Sequence, residues 1–169
     1  MKVTLIANIS ANGKVLLAEN SSYQAPQEAI IEFMSIATKA GNYVMGRKTF
    51  EMLEGAFVNI KAAFQGIELV ILSEGGSISK EFKVVAHPNE AMKHLSEKGF
   101  EEIIIGGGTA TYNLFLEGKW VTDIYFNIHP VIIGNGGILA TDHKLISNFK
   151  LVGHKQVTEN ILQLHLTKM

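Results

Sequence analysis

With 169 residues, 47% of them hydrophobic and 18% charged, the chain has the makeup of one globular domain able to bury a core. Its 15 basic and 16 acidic residues leave a net charge of −1 and no like-charge run longer than two, so no nucleic-acid partner is expected. Without cysteine it has no disulfide framework, zinc ribbon or thiol nucleophile. The apolar stretch in Met1–Asn8 is too short for a signal peptide, and no run nears the ~18–20 residues of a membrane span. The expectation is a soluble, cytoplasmic protein with no membrane partner.

Apolar stretches of strand length begin with Val3–Ile9. Pro26–Ala40 predicts a helix, since proline suits its first turn, Ile30, Phe33, Met34 and Ala37 share one face, and Gly41 closes it. Strands are predicted at Tyr43–Met45, Leu69–Leu72 and Val84–Ala86. Asn89–Lys98 reads as a helix capped by Asn89, with Ala91, Met92 and Leu95 inward and Gly99 after its end. Ile103–Ile105 is a strand leading into a helix at Thr109–Leu116. This alternation predicts βαβ units and a mainly parallel sheet. Val121–Ile128, Phe149–Gln156 and Ile161–Leu166 have no helical pattern between them, and Thr158-Glu159-Asn160 reads as a hairpin turn. The expected architecture is α/β, a single domain over residues 1–169, its mixed sheet ending in antiparallel strands.

Two strand ends carry the chemistry. Gly106-Gly107-Gly108 joins a three-isoleucine strand to a helix opened by Thr109, so bare backbone and a hydroxyl approach a helix N-terminus, where phosphate binds well. A tight structural turn would need only one glycine. Gly46-Arg47-Lys48-Thr49 puts two cations at a helix start, where the macrodipole disfavours them; either an anion sits there or the turn is simply solvated. Together they suggest a ligand with phosphates at two places, such as a dinucleotide. Neither is a Rossmann fingerprint, because Thr111 stands where a small residue belongs, nor a P-loop. Leu72-Ser73-Glu74-Gly75-Gly76 reads by itself as a polar loop, and Gly134-Asn135-Gly136-Gly137 as a loop over a site or a plain turn. The 6 histidines show no metal-site spacing, so no metal is expected. Glu28 and Glu32 lie one turn apart, a pattern usual on a solvated helix face.

The order Val44-Met45-Gly46-Arg47-Lys48-Thr49-Phe50-Glu51, Val70-Ile71-Leu72-Ser73, Ile104-Ile105-Gly106-Gly107-Gly108 resembles the dihydrofolate reductase superfamily. Ser10-Ala11-Asn12-Gly13-Lys14 and the Thr122–Gly136 segment are more similar to the branch containing the reductase domain of bacterial riboflavin biosynthesis. The resemblance implies a three-layer fold with helices on both sheet faces, and NADPH as cofactor. Ala7 and the Asn12–Leu17 segment, Val15 included, would border the nicotinamide. Gly46, Arg47, Lys48 and Thr49, with Leu72 and Ser73, would hold the adenosine side and its 2′-phosphate. Gly106, Gly107, Gly108, Thr109 and Ala110 would cradle the pyrophosphate. The two cations favour NADPH over NADH, because the extra phosphate supplies their anion.

The resemblance further implies a heterocyclic substrate, a pyrimidine ribosylamine, held near Asn8, Asn12, Phe33 and Asn127, and a homodimer. Three departures stand on the substrate side. Ala29 occupies the position of the folate enzymes' acid, Asn12 replaces the aspartate of the riboflavin branch, and Ile30 its basic residue. Glu28 is the carboxylate left for proton management. Folate reduction and a non-catalytic NADPH-binding module are the alternatives.

Overall fold

Lys2–Ser10 forms β1, whose alternate residues face opposite sides of the sheet. Val3, Leu5, Ala7 and Ile9 join one apolar cluster, Ile6 the other. The computed structural model describes residues 1–16, 23–75 and 79–169; Leu17 and Gly76 of the segments nominated above lie outside them. The remaining elements are α1 (Gln27–Ala40), β2 (Asn42–Gly46), α2 (Arg47–Ala56), α3 (Ile60–Ala63), β3 (Glu68–Leu72), β4 (Lys83–Val85), α4 (Pro88–Glu97), β5 (Glu102–Gly107), α5 (Thr109–Glu117), β6 (Asp123–His129), β7 (Phe149–Thr158) and β8 (Ile161–Lys168).

The strands form an 8-stranded sheet in the order β4-β3-β2-β5-β1-β6-β8-β7. Pairings from β4 across to β6 are parallel, and β8 runs antiparallel to both β6 and β7, as the patterning predicts. Ala91 and Leu95 of α4 and Tyr112 and Phe115 of α5 cover one face. Ala37 of α1, Phe50 of α2 and Ile60 of α3 cover the other. Helices therefore flank both faces of a mixed sheet.

Two local expectations are corrected. Ile30, expected inward, is 51% exposed; the stripe is rotated so that Ala29 and Ala37 are buried, with Phe33 and Met34 half-buried between them. Periodicity defines an apolar stripe but not how the helix is turned about its axis. Asn89 does not cap α4, because the helix starts earlier, with Pro88 in its first turn and His87 at the cap. Proline has no N–H to lose there. Gly41 closes α1 as expected, at φ 74°, its N–H bonded to the carbonyls of Ala37 and Thr38.

The polar residues of β1 and β6 gather on the face that carries α1. At the N-terminal ends, burial pushes the Asp123 carboxyl up, but hydrogen bonds from Thr167, His165 and Thr122, with Lys2 nearby, outweigh it and hold the group below its ordinary value. At the other end of the same face, the register sets Asn8 beside Asn127 and Ser10 beside His129.

Candidate functional site

The C-terminal ends of the parallel strands form the site, the edge where open α/β sheets bind ligands. Adjacent β2 and β5 both end in glycine and turn into helices. Gly46 is the N-cap of α2 and Gly108 that of α5, and neither helix has a side-chain cap or an acidic residue in its first turn. By contrast, α1 and α4 carry Glu28 and Glu90 in theirs. A Cβ on Gly46 would lie 3.8 Å from the Gly108 nitrogen, so the two helix starts sit side by side. Their first-turn N–H groups, having no intrahelical acceptors, add up to an anion cradle. Gly107 has φ 144°, which a side chain would resist, and the Gly107–Gly108 peptide is cis.

Threonines pack into the space the glycines leave. Thr49 Oγ1 is 2.9 Å from where a Gly108 Cβ would sit, and Thr111 Oγ1 is 2.5 Å from that of Gly46. Thr109 fills the place of a Gly137 side chain, and its buried Oγ1 has no hydrogen-bond partner among the described residues. The loop at 134–137 is thereby seated on α5. Gly137 also exchanges backbone hydrogen bonds with Val15, while Leu16 N–H reaches the Asn8 carbonyl. The segment after β1 thus lies against the same strand ends. Ala7 and Val15 are buried, and Ala110 is exposed.

One strand further out, β3 ends at Leu72 in register with Gly46. Arg47 Nη1 and Ser73 Oγ lie 3.1 and 3.9 Å from the point where a Gly75 Cβ would sit, so guanidinium and hydroxyl converge. Ser73 Oγ is buried without a partner among the described residues. Arg47 donates through Nε to Glu51 Oε1 at 2.6 Å, and Lys48 is exposed. Beside Ser73 a depression of about 360 Å³ is lined by Glu74, Phe82, Lys83, Val85 and Glu90 among others. Two orphaned hydroxyls and two uncapped helix starts are what a phosphorylated ligand satisfies, since buried polar groups otherwise find partners. The residues present fit a dinucleotide.

At the C-terminal ends of β1 and β6 lies a polar network. Gln163 Nε2 donates to Asn127 Oδ1 at 2.9 Å, and Asn127 Nδ2 donates to Asn8 Oδ1 at 3.0 Å. His129 Nε2 lies 3.1 Å from the same Asn8 oxygen, and His129 Nδ1 is 2.9 Å from the Tyr23 hydroxyl. His129 is fully buried, and burial lowers its pKa below the usual histidine value. Tyr23 is half-buried and its pKa is raised by burial. Asn8 and Asn127 are thus brought together. Asn12 instead ties its own turn to the chain beyond β6, accepting from Ser10 Oγ at 2.7 Å and donating to the Ile133 carbonyl at 2.9 Å. Phe33 packs on Tyr43, ring centroids 5.8 Å apart. Glu28 is exposed, and Glu32 pairs with Lys155 at 2.6 Å. Sequence reasoning missed Tyr23, His129 and Gln163; the available signal was that His129 falls on the alternation phase of Asn127.

Among the described residues no group of three His, Asp or Glu side chains could hold a metal, and no helix is long and apolar enough to cross a membrane.

The family described as the RibD C-terminal domain matches residues 1–163. No curated protein matches the chain. Solved structures do. A protein described as a riboflavin biosynthesis protein, from Shewanella sp. PV-4, superposes with a TM-score of 0.76 at 18% identity, over 100% of this chain and 99% of the other. A pyrimidine reductase-like protein from Corynebacterium diphtheriae gives 0.77 at 16% identity, over 99% and 92%. The diaminohydroxyphosphoribosylaminopyrimidine deaminase/5-amino-6-(5-phosphoribosylamino)uracil reductase of Thermotoga maritima gives 0.73 at 11% identity, over 99% of this chain but 56% of that one. The fold is accordingly of the dihydrofolate reductase type.

Proposed function

Since the chain belongs to the family of the RibD C-terminal domain, we propose that it is an NADPH-dependent reductase passing hydride to a pyrimidine-type heterocycle. One observation carries the cofactor half: the uncapped starts of α2 and α5 meet at Gly46 and Gly108, with Arg47 and Ser73 converging one strand away. The N–H groups after Gly46 and Gly108, with the Thr49 and Thr109 hydroxyls, would hold the pyrophosphate. Arg47, Lys48 and Ser73 would hold the 2′-phosphate, beside Leu72. Ala7, Val15, Gly106, Gly107 and Ala110 complete the proposed surround. The nicotinamide, when bound, supplies hydride; the protein contributes position and electrostatics.

Similar structures include a pyrimidine reductase-like protein and a uracil reductase, which supports a pyrimidine ribosylamine as substrate. Asn8, Asn127, Asn12 and Phe33 are assigned to its side of the site. This reading places the protein in the cytoplasm. A second reading, a module that binds NADPH without turnover, is favoured by the exposure of Glu28 on α1. Folate reduction ranks below both, with Ala29 fully buried at the position of the acid.

Calorimetry, or energy transfer from Trp120, tests the assignment. NADPH is expected to bind at least about tenfold tighter than NADH, or ~1.4 kcal/mol. Equal affinities would overturn the phosphate site, and no binding would overturn the reductase.

We also propose a homodimer formed along β7, the edge strand, where Leu151 and Val152 are exposed, with Leu162 exposed further along the pair opposite Gln156. Ile161 belongs to this chain's own interior, at 2% exposure. Sedimentation at the mass of one 18.5 kDa chain would rule the dimer out.

A further inference from the structure

Resting on the reductase reading, we infer that Tyr23 gives the substrate the proton that accompanies hydride addition, and that His129 is the positioning residue that holds and reloads it. On the substrate side the network offers amides, which do not exchange protons at this task, and two groups that do: the Tyr23 phenol and the His129 imidazole. Glu28, by contrast, stands exposed in the first turn of α1.

The direction of the chain follows from its donors. Gln163 donates to the Asn127 carbonyl oxygen, which turns the Asn127 amide nitrogen toward Asn8. The Asn8 oxygen can only accept, so the ring nitrogen facing it, Nε2 of His129, carries a hydrogen. That leaves Nδ1 to decide the state of Tyr23, 2.9 Å away. With a neutral ring, Nδ1 accepts and the phenol hydrogen points inward. With a protonated ring, Nδ1–H donates to the Tyr23 oxygen and the phenol hydrogen is released outward. The groups bonded to the ring, Tyr23 from the segment before α1 and Asn8 from β1, are uncharged, as is its register partner Ser10. His129 is fully buried and Tyr23 only half-buried, so the route from the ring to the ligand side runs through the phenol.

The step balances. As hydride from the nicotinamide adds to the carbon of a C=N or C=O bond, the π pair moves to the heteroatom, which takes the Tyr23 proton. The phenolate oxygen takes the Nδ1 proton, leaving neutral His129 with Nε2–H on Asn8 and the cofactor oxidised. A solvent proton then restores the ring.

The test uses the whole protein with NADPH and 5-amino-6-(5-phosphoribosylamino)uracil as probe. Tyr23→Phe should lower kcat about 10²-fold or more, with KM and NADPH affinity within about twofold of the parent. His129→Gln should flatten the kcat–pH profile, which in the parent should fall as pH rises through the lowered histidine pKa. A readout independent of turnover is ¹⁵N NMR of the imidazole, expected to report the Nε2–H tautomer at neutral pH. An active parent with an equally fast Tyr23→Phe variant, or an Nδ1–H tautomer, overturns the proton assignment alone. A parent that neither binds NADPH nor reduces the probe overturns the reductase reading, and this inference falls with it.

Discussion

Gly106→Ala is expected to cost about 3 kcal/mol or more of stability, because the new methyl group would overlap the ring of Tyr43. The ring has nowhere to go. It is 4% exposed, lies between Phe33 and Phe64 at centroid distances of 5.8 and 5.6 Å, and donates its hydroxyl hydrogen to the Gly106 carbonyl at 2.8 Å. Strand β5 must then shift against β2, at the point where their register already jumps from Val44↔Ile105 to Met45↔Gly107. Against the ~5–15 kcal/mol of a typical domain, such a loss is severe. Denaturant unfolding reads it directly. Tyr43→Leu in the Gly106→Ala background vacates the ring's space, so the double variant should be more stable than the two single losses add up to. Parent-like stability of Gly106→Ala alone would mean that Tyr43 does not occupy this place.

Arg47→Ser is expected to weaken NADPH binding by about 2 kcal/mol, roughly thirtyfold, while leaving NADH almost unaffected. The guanidinium reaches the point it shares with Ser73 through Nη1, and its Nε is held by Glu51. What the variant would lose, on the proposed NADPH assignment, is a charge-assisted contact to the extra phosphate. Stability should change by no more than about 0.5 kcal/mol, because relief of a cation at the helix start offsets the loss of the exposed Arg47–Glu51 pair. Parallel melting curves and titrations separate the two effects. Equal losses for both cofactors would place Arg47 on the pyrophosphate instead.

Features that depend on neighbours in sequence were legible. Gly41 ends α1 because glycine adopts φ 74° freely, and the apolar stretches matched the strands because burial on both faces demands continuous hydrophobicity. The glycine turns were visible for the same reason, a local need for bare backbone. Ile30 misled because helical periodicity defines a stripe but not its rotation, and the sheet beneath α1 took Ala29 instead. The polar network was out of reach. Tyr23 and His129 are 106 residues apart, Asn8 and His129 121, and nothing in the sequence around one announces the others. Asn8 and Asn127 were named through a family resemblance, and the structure adds that they touch.

The central position of β1 also bears on how the chain assembles. Its partners are β5, which begins at Glu102, and β6, which begins at Asp123, so both its neighbours are made long after it. During synthesis its apolar side chains and both rows of backbone hydrogen-bonding groups wait until the segments from Glu102 and Asp123 have emerged from the ribosome. Closing such distant pairs is entropically slow, and an unpaired apolar strand invites aggregation in the interval. Completion of the sheet, and with it of any ligand-binding edge, is consequently a late event in the life of each new molecule.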